Sequence, residues 1–302
     1  MIVATIVVNW NRRDDTLACL ASLSGQAADG VDQHIIVVDN GSTDGSVAAI
    51  DATFPYVETL PLEANLGYAR AVNTGLRHAL ASAAELTWLV NNDTVARPGL
   101  LAALVGAMAE PSVGLAAPTV YFLDAPTRVW PSAGRRRRLT LAAFDTTADP
   151  PSRRPYDVDW ATGCCLMVRT EVWRGTGMLD PRYAFYYEDH DLCLRARSAG
   201  WRIVHVPDAT VLHRVAASTG EGSPRQLYLL ARSSVPYYWL HTRGMHRAFI
   251  VAYRLGSFAR TALECMASGR PRSAAAYARG LRDGLADLVG TPAGRRRRDP
   301  FE

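Results

Sequence analysis

Two amides and a carboxylate, Asn91, Asn92 and Asp93, directly follow the apolar pair Leu89-Val90. Oxygen ligands at the end of a strand suit a hard divalent cation, which prefers carboxylate, carbonyl and water. In alternating α/β chains, ligands bind at the carboxyl ends of the strands. The same three residues are also common in an ordinary polar turn. The motif therefore indicates a metal site only in combination with other motifs along the chain.

A second polar motif, residues 39–45, follows the apolar run 34–38. Its first residue, Asp39, can accept a hydrogen bond from a ribose hydroxyl or a base N–H. Further along, Gly67 permits close backbone approach and Arg70 offers a guanidinium to a phosphate. An ordinary helix cap or turn is the alternative at both places. The chain contains neither GxGxxG nor GxxxxGK[ST], so neither a nicotinamide fingerprint nor a P-loop is supported.

Three acids fall within four residues at 188–191. A carboxylate is an effective general base when burial or a neighbouring charge raises its pKa, and adjacent acids provide that effect. The alternative is that the acids only complement a helix macrodipole. Asp191 is expected to cap the helix or pair with Arg195. Trp160, close to Gly163, offers a ring face that suits stacking against a ligand, with core packing as the alternative.

Composition restricts the class of protein. The chain has 302 residues, 48% of them hydrophobic, and its mean hydropathy of −0.04 is typical of a globular protein. All 33 basic residues are arginine, which we attribute to codon bias, and the net charge of +4 does not indicate nucleic-acid binding. Five cysteines without a CxxC pair argue against a disulfide framework and a zinc site. With no signal peptide and no run of 18 apolar residues, a cytoplasmic location is predicted.

Apolar runs alternate with helical patterns over the first 120 residues, which predicts βαβ units and a mostly parallel sheet. Residues 124–159 lack this pattern and are predicted to form a loop or hairpin. A strand is predicted over 202–206, and Asp14 or Asp15 is expected to cap the first helix. We predict a catalytic domain over 1–222, with halves at 1–123 and 124–222, followed by a helical region over 223–302 that ends in a basic tail.

Taken together, these motifs resemble the family 2 glycosyltransferases, and most closely their rhamnosyltransferase-like branch in bacterial polysaccharide and cell-wall assembly. The likeness covers roughly residues 2–240. The segments that carry it are Val7-Val8-Asn9-Trp10-Asn11, Val37 to Gly45, Asn65-Leu66-Gly67, Leu89 to Thr94 and Tyr187-Glu188-Asp189. The resemblance implies a GT-A fold, a nucleotide-sugar donor, a divalent metal and an inverting reaction.

The resemblance also implies roles for individual residues. Asp189 is the implied base, and Glu188 helps to hold the acceptor together with Trp160 and Gly163. Asn91 stands where the family commonly has an aspartate, and it can still offer a carbonyl oxygen. The implied ligands of Mg²⁺ or Mn²⁺ are Asp93, His213 and Asn91, although a lone histidine is often structural. The implied donor-binding residues are Asn9, Asn11, Asp39, Asn65, Gly67, Arg70, Asn91, Asn92 and Asp93.

The expected reaction moves a rhamnose-like sugar or a hexose from a dTDP- or UDP-sugar to a hydroxyl of a glycan or lipid-linked glycan. One alternative is a nucleotide-binding scaffold with reduced catalysis, because Asn91 stands where the family commonly has an aspartate. A nucleotidyltransferase is another, although the residues after the first strand lack the glycines that it needs. Tyrosines and arginines along the C-terminal helices, including Tyr237 and Tyr238, suit either peripheral contact with the inner face of the membrane or a soluble helical cap.

Overall fold

The computed structural model describes residues 1–148, 150–183, 185–215, 220 and 222–290. The described chain forms two compact units. The sheet unit comprises 1–136, 143–179 and 189–215, and the helical unit comprises 137–142, 180–188 and the described part of 216–302. The domain boundaries predicted from the sequence stay a prediction, and the basic tail lies outside the described residues.

The strands are β1 Ile2–Asn9, β2 Asp32–Asp39, β3 Glu58–Pro61, β4 Leu86–Asn91, β5 Thr94–Ala96, β6 Val113–Phe122, β7 Val129–Trp130, β8 Ala133–Arg136, β9 Ala143–Asp145, β10 Tyr156–Val158, β11 Trp160–Ala161, β12 Cys165–Arg169 and β13 Arg202–His213. The helices are α1 Arg13–Ser24, α2 Ser46–Thr53, α3 Tyr68–Ala81, α4 Leu100–Ala107, α5 Thr170–Thr176, α6 Glu188–Ser198, α7 Pro224–Leu240, α8 Gly244–Ala267 and α9 Pro271–Gly290.

The main sheet has the strand order β10-β13-β6-β12-β4-β1-β2-β3, with β5 paired to β13 and β7 to β6. Strands β4, β1, β2 and β3 are parallel, as are β6 and β13. Strand β12 runs antiparallel between β4 and β6. The α/β class and the mostly parallel central sheet predicted from the sequence are confirmed.

Alternating side chains of β1 supply two hydrophobic layers, because successive residues of a strand point to opposite faces. Val3 and Val7 belong to one layer, and Ala4 and Ile6 belong to the other. Helices α1, α2 and α4 cover the first face, and α3, α5 and α6 cover the second. A Cβ on Gly75 of α3 would lie only 2.7 Å from Ile6 Cγ2, so glycine lets α3 pack tightly on the sheet.

The segment 124–159, predicted to form a loop or hairpin, contains β7, β8, β9 and β10. The hairpin is confirmed, because β8 and β9 pair antiparallel and β11 joins them in a second sheet, and the loop alternative is wrong. These strands have two to four residues each and are too short to show a hydrophobic period. The strand predicted to end at Val206 continues to His213 as β13. Its register shifts between Val206 and Thr210, where Pro207-Asp208 has the composition of a turn.

The cap predicted for α1 is also wrong. Arg12 occupies the N-cap position without a side-chain cap, and Asp14 and Asp15 lie inside the first turn. The backbone N–H of Arg13 instead donates to Asp44 Oδ2 at 3.0 Å. A residue from a distant loop therefore satisfies the start of this helix, which local sequence cannot reveal.

In the helical unit, α7 and α9 pack so closely that two glycines of α9 lie against backbone carbonyl groups of α7. A Cβ on Gly280 would lie 2.3 Å from the Tyr228 carbonyl oxygen, and one on Gly284 would lie 2.5 Å from that of Arg232. Buried Arg232 pairs with Asp287 at 2.7 Å across this contact. No helix in the described part of the chain is both long enough and apolar enough to cross a membrane.

Candidate functional site

The strand ends of the sheet unit bring several predicted donor-binding residues together. Asn9 ends β1 and pairs in register with Asp39 at the end of β2, while β4 on the other side of β1 ends at Asn91. Asn9 is fully buried, and its Nδ2 donates to Asp39 Oδ2 at 2.7 Å. The other carboxylate oxygen of Asp39 accepts from the backbone N–H of Ser42 at 2.8 Å. Both oxygens of this buried carboxylate therefore have fixed partners.

The carbonyl oxygen of the Asn9 side chain is also engaged. It accepts from Thr16 Oγ1 at 2.7 Å and from Asn92 Nδ2 at 3.1 Å. Asn92 Nδ2 lies 2.9 Å from Thr16 Oγ1 as well, and Asn9 Nδ2 lies 3.1 Å from Ser42 Oγ. We call Asn9, Thr16, Asp39, Ser42 and Asn92 the strand-end cluster. It is an internally hydrogen-bonded network that holds three strand ends in one arrangement.

A second network fixes the segment that leads into α3. Asn40 accepts from the backbone N–H of Leu66 at 2.8 Å and donates to Asn65 Oδ1 at 3.0 Å. Asn65 Oδ1 also accepts from the backbone N–H of Gly67 at 2.8 Å. Gly67 has φ 83° and ψ 161°, a conformation that is essentially restricted to glycine. The sequence motif around Asn65 thus builds the entry to α3.

Two further predicted donor-binding residues flank these networks. Asn11 is exposed and has φ 50°, and its Oδ1 accepts from the backbone N–H of Thr43 at 2.8 Å. Arg70 lies in the first turn of α3 and is partly exposed. Among the described residues, no acidic side chain pairs with the Arg70 guanidinium, so this cation is available to an anionic ligand.

Asp93 and His213 meet because β5 pairs with the end of β13, which places Thr94 opposite His213. Asp93 Oδ1 lies 3.1 Å from His213 Nε2, and the two side chains are only 10% and 8% exposed. The Trp130 ring packs edge-on against the imidazole at 5.3 Å. Neither Asp93 Oδ1 nor His213 Nδ1 has a hydrogen-bond partner among the described residues, so the contact at 3.1 Å lacks hydrogen-bond geometry.

This Asp93–His213 pair has the composition of part of a metal site. A carboxylate oxygen and an imidazole nitrogen are ordinary ligands of Mn²⁺ and Mg²⁺, and buried polar atoms without partners are costly. In the described ranges, no group of three or more His, Cys, Asp or Glu side chains is arranged so that it could hold a metal ion by itself. A cation bound here would therefore need further ligands from a substrate or from water.

Asp189 lies near the start of α6 and is partly exposed. Its Oδ2 accepts from the backbone N–H of Gly163 at 3.1 Å, and its Oδ1 accepts from the N–H of His190 at 2.7 Å. The neighbouring Cys164 carbonyl accepts from the backbone N–H of Asn91 at 2.8 Å, so the Gly163 turn adjoins the end of β4. A fixed and partly exposed carboxylate next to a metal-type motif can act as a base.

His190, next in the chain, supports this arrangement. Burial lowers the pKa of His190 to about 4, against the opposing effect of the Asp189 charge. The imidazole is therefore neutral at pH 7, and its Nδ1 accepts a hydrogen bond from Arg136 Nη2 at 3.2 Å. The Trp160 ring packs against it at 5.0 Å, and Trp160 Nε1 donates to the Phe144 carbonyl at 3.2 Å.

Trp160 is only 8% exposed and belongs to the core, so its predicted acceptor contact stays a prediction. Glu188 is buried at the first residue of α6, and its predicted role also stays untested. The predicted pairing of Asp191 with Arg195 is confirmed at 2.7 Å.

Sequence reasoning did not select Thr16 or Tyr68. Tyr68 donates from its hydroxyl to Asn91 Oδ1 at 3.2 Å, and Thr16 bridges Asn9 and Asn92. Tyr68 directly follows the Asn65-Leu66-Gly67 motif and could have been included with it. Thr16 lies inside an ordinary helical pattern and gave no signal.

The family model described as "Glycosyltransferase like family 2" matches residues 2–232. An N-acetylglucosaminyl-diphospho-decaprenol L-rhamnosyltransferase from Mycobacterium tuberculosis is 34% identical over 245 residues, which cover 72% of this chain and 78% of that protein. The dTDP-rhamnosyl transferase RfbF of Shigella flexneri is 26% identical over 183 residues, which cover 60% of each protein.

Among solved structures, the mannosyltransferase PcManGT from Pyrobaculum calidifontis, in complex with GDP-Man and Mn²⁺, has a TM-score of 0.57 at 20% identity. The match covers 96% of this chain and 76% of that one, and it supports the GT-A fold. This chain belongs to glycosyltransferase family 2, and its similarity to the mycobacterial protein makes it rhamnosyltransferase-like. The resemblance found from the motifs is thereby confirmed, and the family favours sugar transfer over nucleotidyl transfer.

Proposed function

We propose that this enzyme transfers L-rhamnose or a related hexose from a dTDP- or UDP-sugar to a hydroxyl of a glycan or lipid-linked glycan, with inversion at the anomeric carbon. One structural observation carries the proposal: the Asp93–His213 pair and the fixed Asp189 carboxylate lie on the same sheet unit. The names of the rhamnosyltransferase relatives support the choice of sugar, and RfbF supports a dTDP donor.

Donor binding is assigned to the polar loops of the sheet unit. The proposed nucleotide contacts are Asp39, at the end of β2, and the loop residues Asn11 and Asn65, all three of which take part in internal hydrogen bonds. Arg70 supplies the proposed phosphate contact, since a guanidinium matches phosphate oxygens. The buried Asn9 and Asn92 act through Asp39 and the end of β4, because their amides are used within the strand-end cluster.

Asp93 and His213 would hold Mg²⁺ or Mn²⁺. When bound, the cation would neutralise charge on the diphosphate leaving group. Asn91 completes the motif in sequence, but its side-chain oxygen already accepts from Tyr68. We therefore assign Asn91 to donor contacts through its Nδ2 group, ahead of metal ligation.

Asp189 is the proposed general base. The N–H groups of Gly163 and His190 orient its carboxylate, and its partial exposure lets an acceptor hydroxyl approach. The acceptor oxygen forms the new bond to the anomeric carbon as the bond to the diphosphate breaks, and its proton passes to Asp189. A single displacement of this kind inverts the anomeric centre. Glu188, Gly163 and Trp160 are the proposed acceptor-side residues.

A panel of nucleotide sugars tests the proposal. Donor hydrolysis and thermal stabilisation are measured for dTDP-rhamnose and for UDP- and GDP-hexoses, each with Mn²⁺, Mg²⁺ or EDTA. We expect dTDP-rhamnose or a UDP-hexose to stabilise the enzyme, and more so with metal, because selective binding of the folded state raises its stability. Stabilisation only by GDP-hexoses would contradict the donor assignment, and equal stabilisation in EDTA would contradict the metal assignment. Binding without any transfer would favour the catalytically reduced scaffold.

The site of action is assigned to the cytoplasmic face of the membrane, since the relative with a lipid-diphosphate acceptor in its name supports a membrane-bound acceptor.

A further inference from the structure

Tyr237 and Tyr238, two of the aromatic residues that the sequence singled out for lipid contact, are buried, whereas Trp239 and Tyr253 are 45% and 37% exposed. Tyr237 is 1% exposed and Tyr238 is 9% exposed, and the two rings pack against each other and against Tyr187. The Arg254 guanidinium lies 4.8 Å from the centre of the Tyr238 ring and donates to Tyr277 at 3.0 Å. These buried tyrosines form the interior of the helical unit and cannot face a bilayer.

The exposed apolar surface of the helical unit lies on α8 instead. Only Ile250 and Cys265 of this 24-residue helix are buried. Three large side chains are far more exposed than is usual for their type: Met245 at 91%, Leu263 at 70% and Leu255 at 64%. The apolar exposed residues of α8 are Met245, Phe249, Val251, Tyr253, Leu255, Leu263 and Met266. We call this set the α8 face.

The α8 face runs along the helix for about 30 Å, from Met245 to Met266 at 1.5 Å per residue. Small exposed residues, Ala248, Ala252 and Ala259, lie between the large ones. Arg254 of α8 turns inward to Tyr277, and the exposed Arg260 and Glu264 form an ion pair at 2.7 Å within this surface. An apolar surface of this length on one helix marks an interaction site.

Charge identifies the occupant. Four exposed arginines of the same unit lie just before α8, just after it and on α9: Arg243, Arg270, Arg272 and Arg279. Arg282 of α9 is also exposed, but it pairs with Asp283 at 2.9 Å. Most acids of α8 and α9 are already paired, as Glu264 is with Arg260 and Asp287 with Arg232. A second copy of this surface would bring like charges together, whereas an anionic bilayer would attract them. No helix of the described chain is long and apolar enough to span a bilayer. The expected mode of binding is therefore a helix that lies in the plane of the membrane interface.

We propose that the α8 face is a membrane-docking surface, with its apolar side chains in the acyl boundary of an anionic leaflet and the neighbouring exposed arginines at the headgroups. This proposal does not depend on the identity of the sugar donor. It moves the proposed lipid contact from the buried Tyr237 and Tyr238 to the exposed residues of α8, and it accounts for large apolar side chains that the folded unit leaves in water.

Flotation of the full chain with vesicles tests this surface. The vesicles contain either phosphatidylglycerol with phosphatidylcholine or phosphatidylcholine alone. We expect the wild type to float with the anionic vesicles and to release as salt rises, since exposed charges are screened. The double variant Leu255→Glu with Leu263→Glu should lose about tenfold or more of the bound fraction, because its glutamates would have to enter the apolar boundary. The control Tyr56→Glu, 62% exposed on the sheet unit, adds a glutamate elsewhere and should bind as the wild type does.

Circular dichroism melts and nucleotide-induced stabilisation establish that each variant is folded, and donor hydrolysis in solution should be unchanged in the double variant. The donor panel tests only the proposed sugar transfer, and flotation tests only the α8 face. A negative result in one experiment therefore does not contradict the other proposal. Equal flotation of the double variant and the wild type, or no flotation of either, would overturn the membrane assignment. A wild-type dimer that does not float, and that becomes a monomer in the double variant, would make the α8 face a contact between copies.

Discussion

Two polar groupings on the sheet unit, the strand-end cluster and the Asp93–His213 pair, are built on opposite principles. In the strand-end cluster, each oxygen of Asp39 and the whole amide of Asn9 have partners within the protein. In the Asp93–His213 pair, one buried carboxylate oxygen and one ring nitrogen lack hydrogen-bond partners within the described chain. The first grouping stabilises the fold before any ligand binds, and we propose that the second gains its partners from a ligand. Substitutions in the strand-end cluster should therefore lower the stability of the ligand-free protein, whereas substitutions in the Asp93–His213 pair should not lower it and should remove the stabilisation by a ligand.

The largest effect is expected at Asp189, next to these groupings. Asp189→Asn should lower the rate of transfer by a factor of about 10² or more, the scale for loss of a general base. Donor binding should be kept. The amide oxygen can accept from only one of the N–H groups of Gly163 and His190, so the free energy of unfolding should fall by about 0.5–1.5 kcal/mol. Transfer is measured with saturating donor, and Asp51→Asn on the exposed side of α2 is the control. Turnover near the wild-type rate would move the base to Glu188 or Asp191.

Asn9→Ala should lower the free energy of unfolding by about 1–3 kcal/mol, because it leaves buried partners without hydrogen bonds. Urea denaturation gives this value. Gln33→Ala removes one partly buried amide hydrogen bond, to Thr5, and should cost less. If both variants unfold at the same urea concentration, the cluster does not provide the stability that we assign to it.

Asp93→Asn should behave in the opposite way. The amide keeps the shape of the side chain and breaks no hydrogen bond at Oδ1, so the metal-free protein should unfold at or above the wild-type temperature. The additional stabilisation that Mn²⁺ gives to the nucleotide complex should disappear, as it should in His213→Gln. Thermal melts with Mn²⁺ and with EDTA measure both effects. A metal effect that survives in both variants would place the cation elsewhere.

The smallest effect is expected at Tyr68, which connects Asn91 to the start of α3. Tyr68→Phe removes one partly buried hydrogen bond and should weaken donor binding by about 0.5–1.5 kcal/mol. Nucleotide affinity from calorimetry measures this, with Tyr56→Phe as the control on an exposed tyrosine. An unchanged affinity would mean that Asn91 does not need Tyr68 to hold its orientation.

The sequence determined the fold class and the positions of the polar motifs. Continuous β-branched runs such as residues 2–8 predict buried parallel strands, and residues 39–45 and 91–93 follow such runs. Parallel neighbouring strands end at the same edge, so the strand order alone gathers Asn9, Asp39 and Asn91. The motifs and their order also pointed to the family that the comparisons establish.

Only the tertiary structure decided which of these residues are exposed to a ligand and which are used internally. Asn9 and Asn11 read alike in the sequence, yet one is fully buried and the other is exposed. Strand β13 continues through Pro207-Asp208 because pairing with β6 and β5 outweighs local turn preference, and this pairing brings His213 to Asp93. In the helical unit, tyrosines with an interfacial composition are buried while the α8 face is exposed. Hydrogen-bond partners and burial depend on residues distant in the chain, which local pattern does not specify.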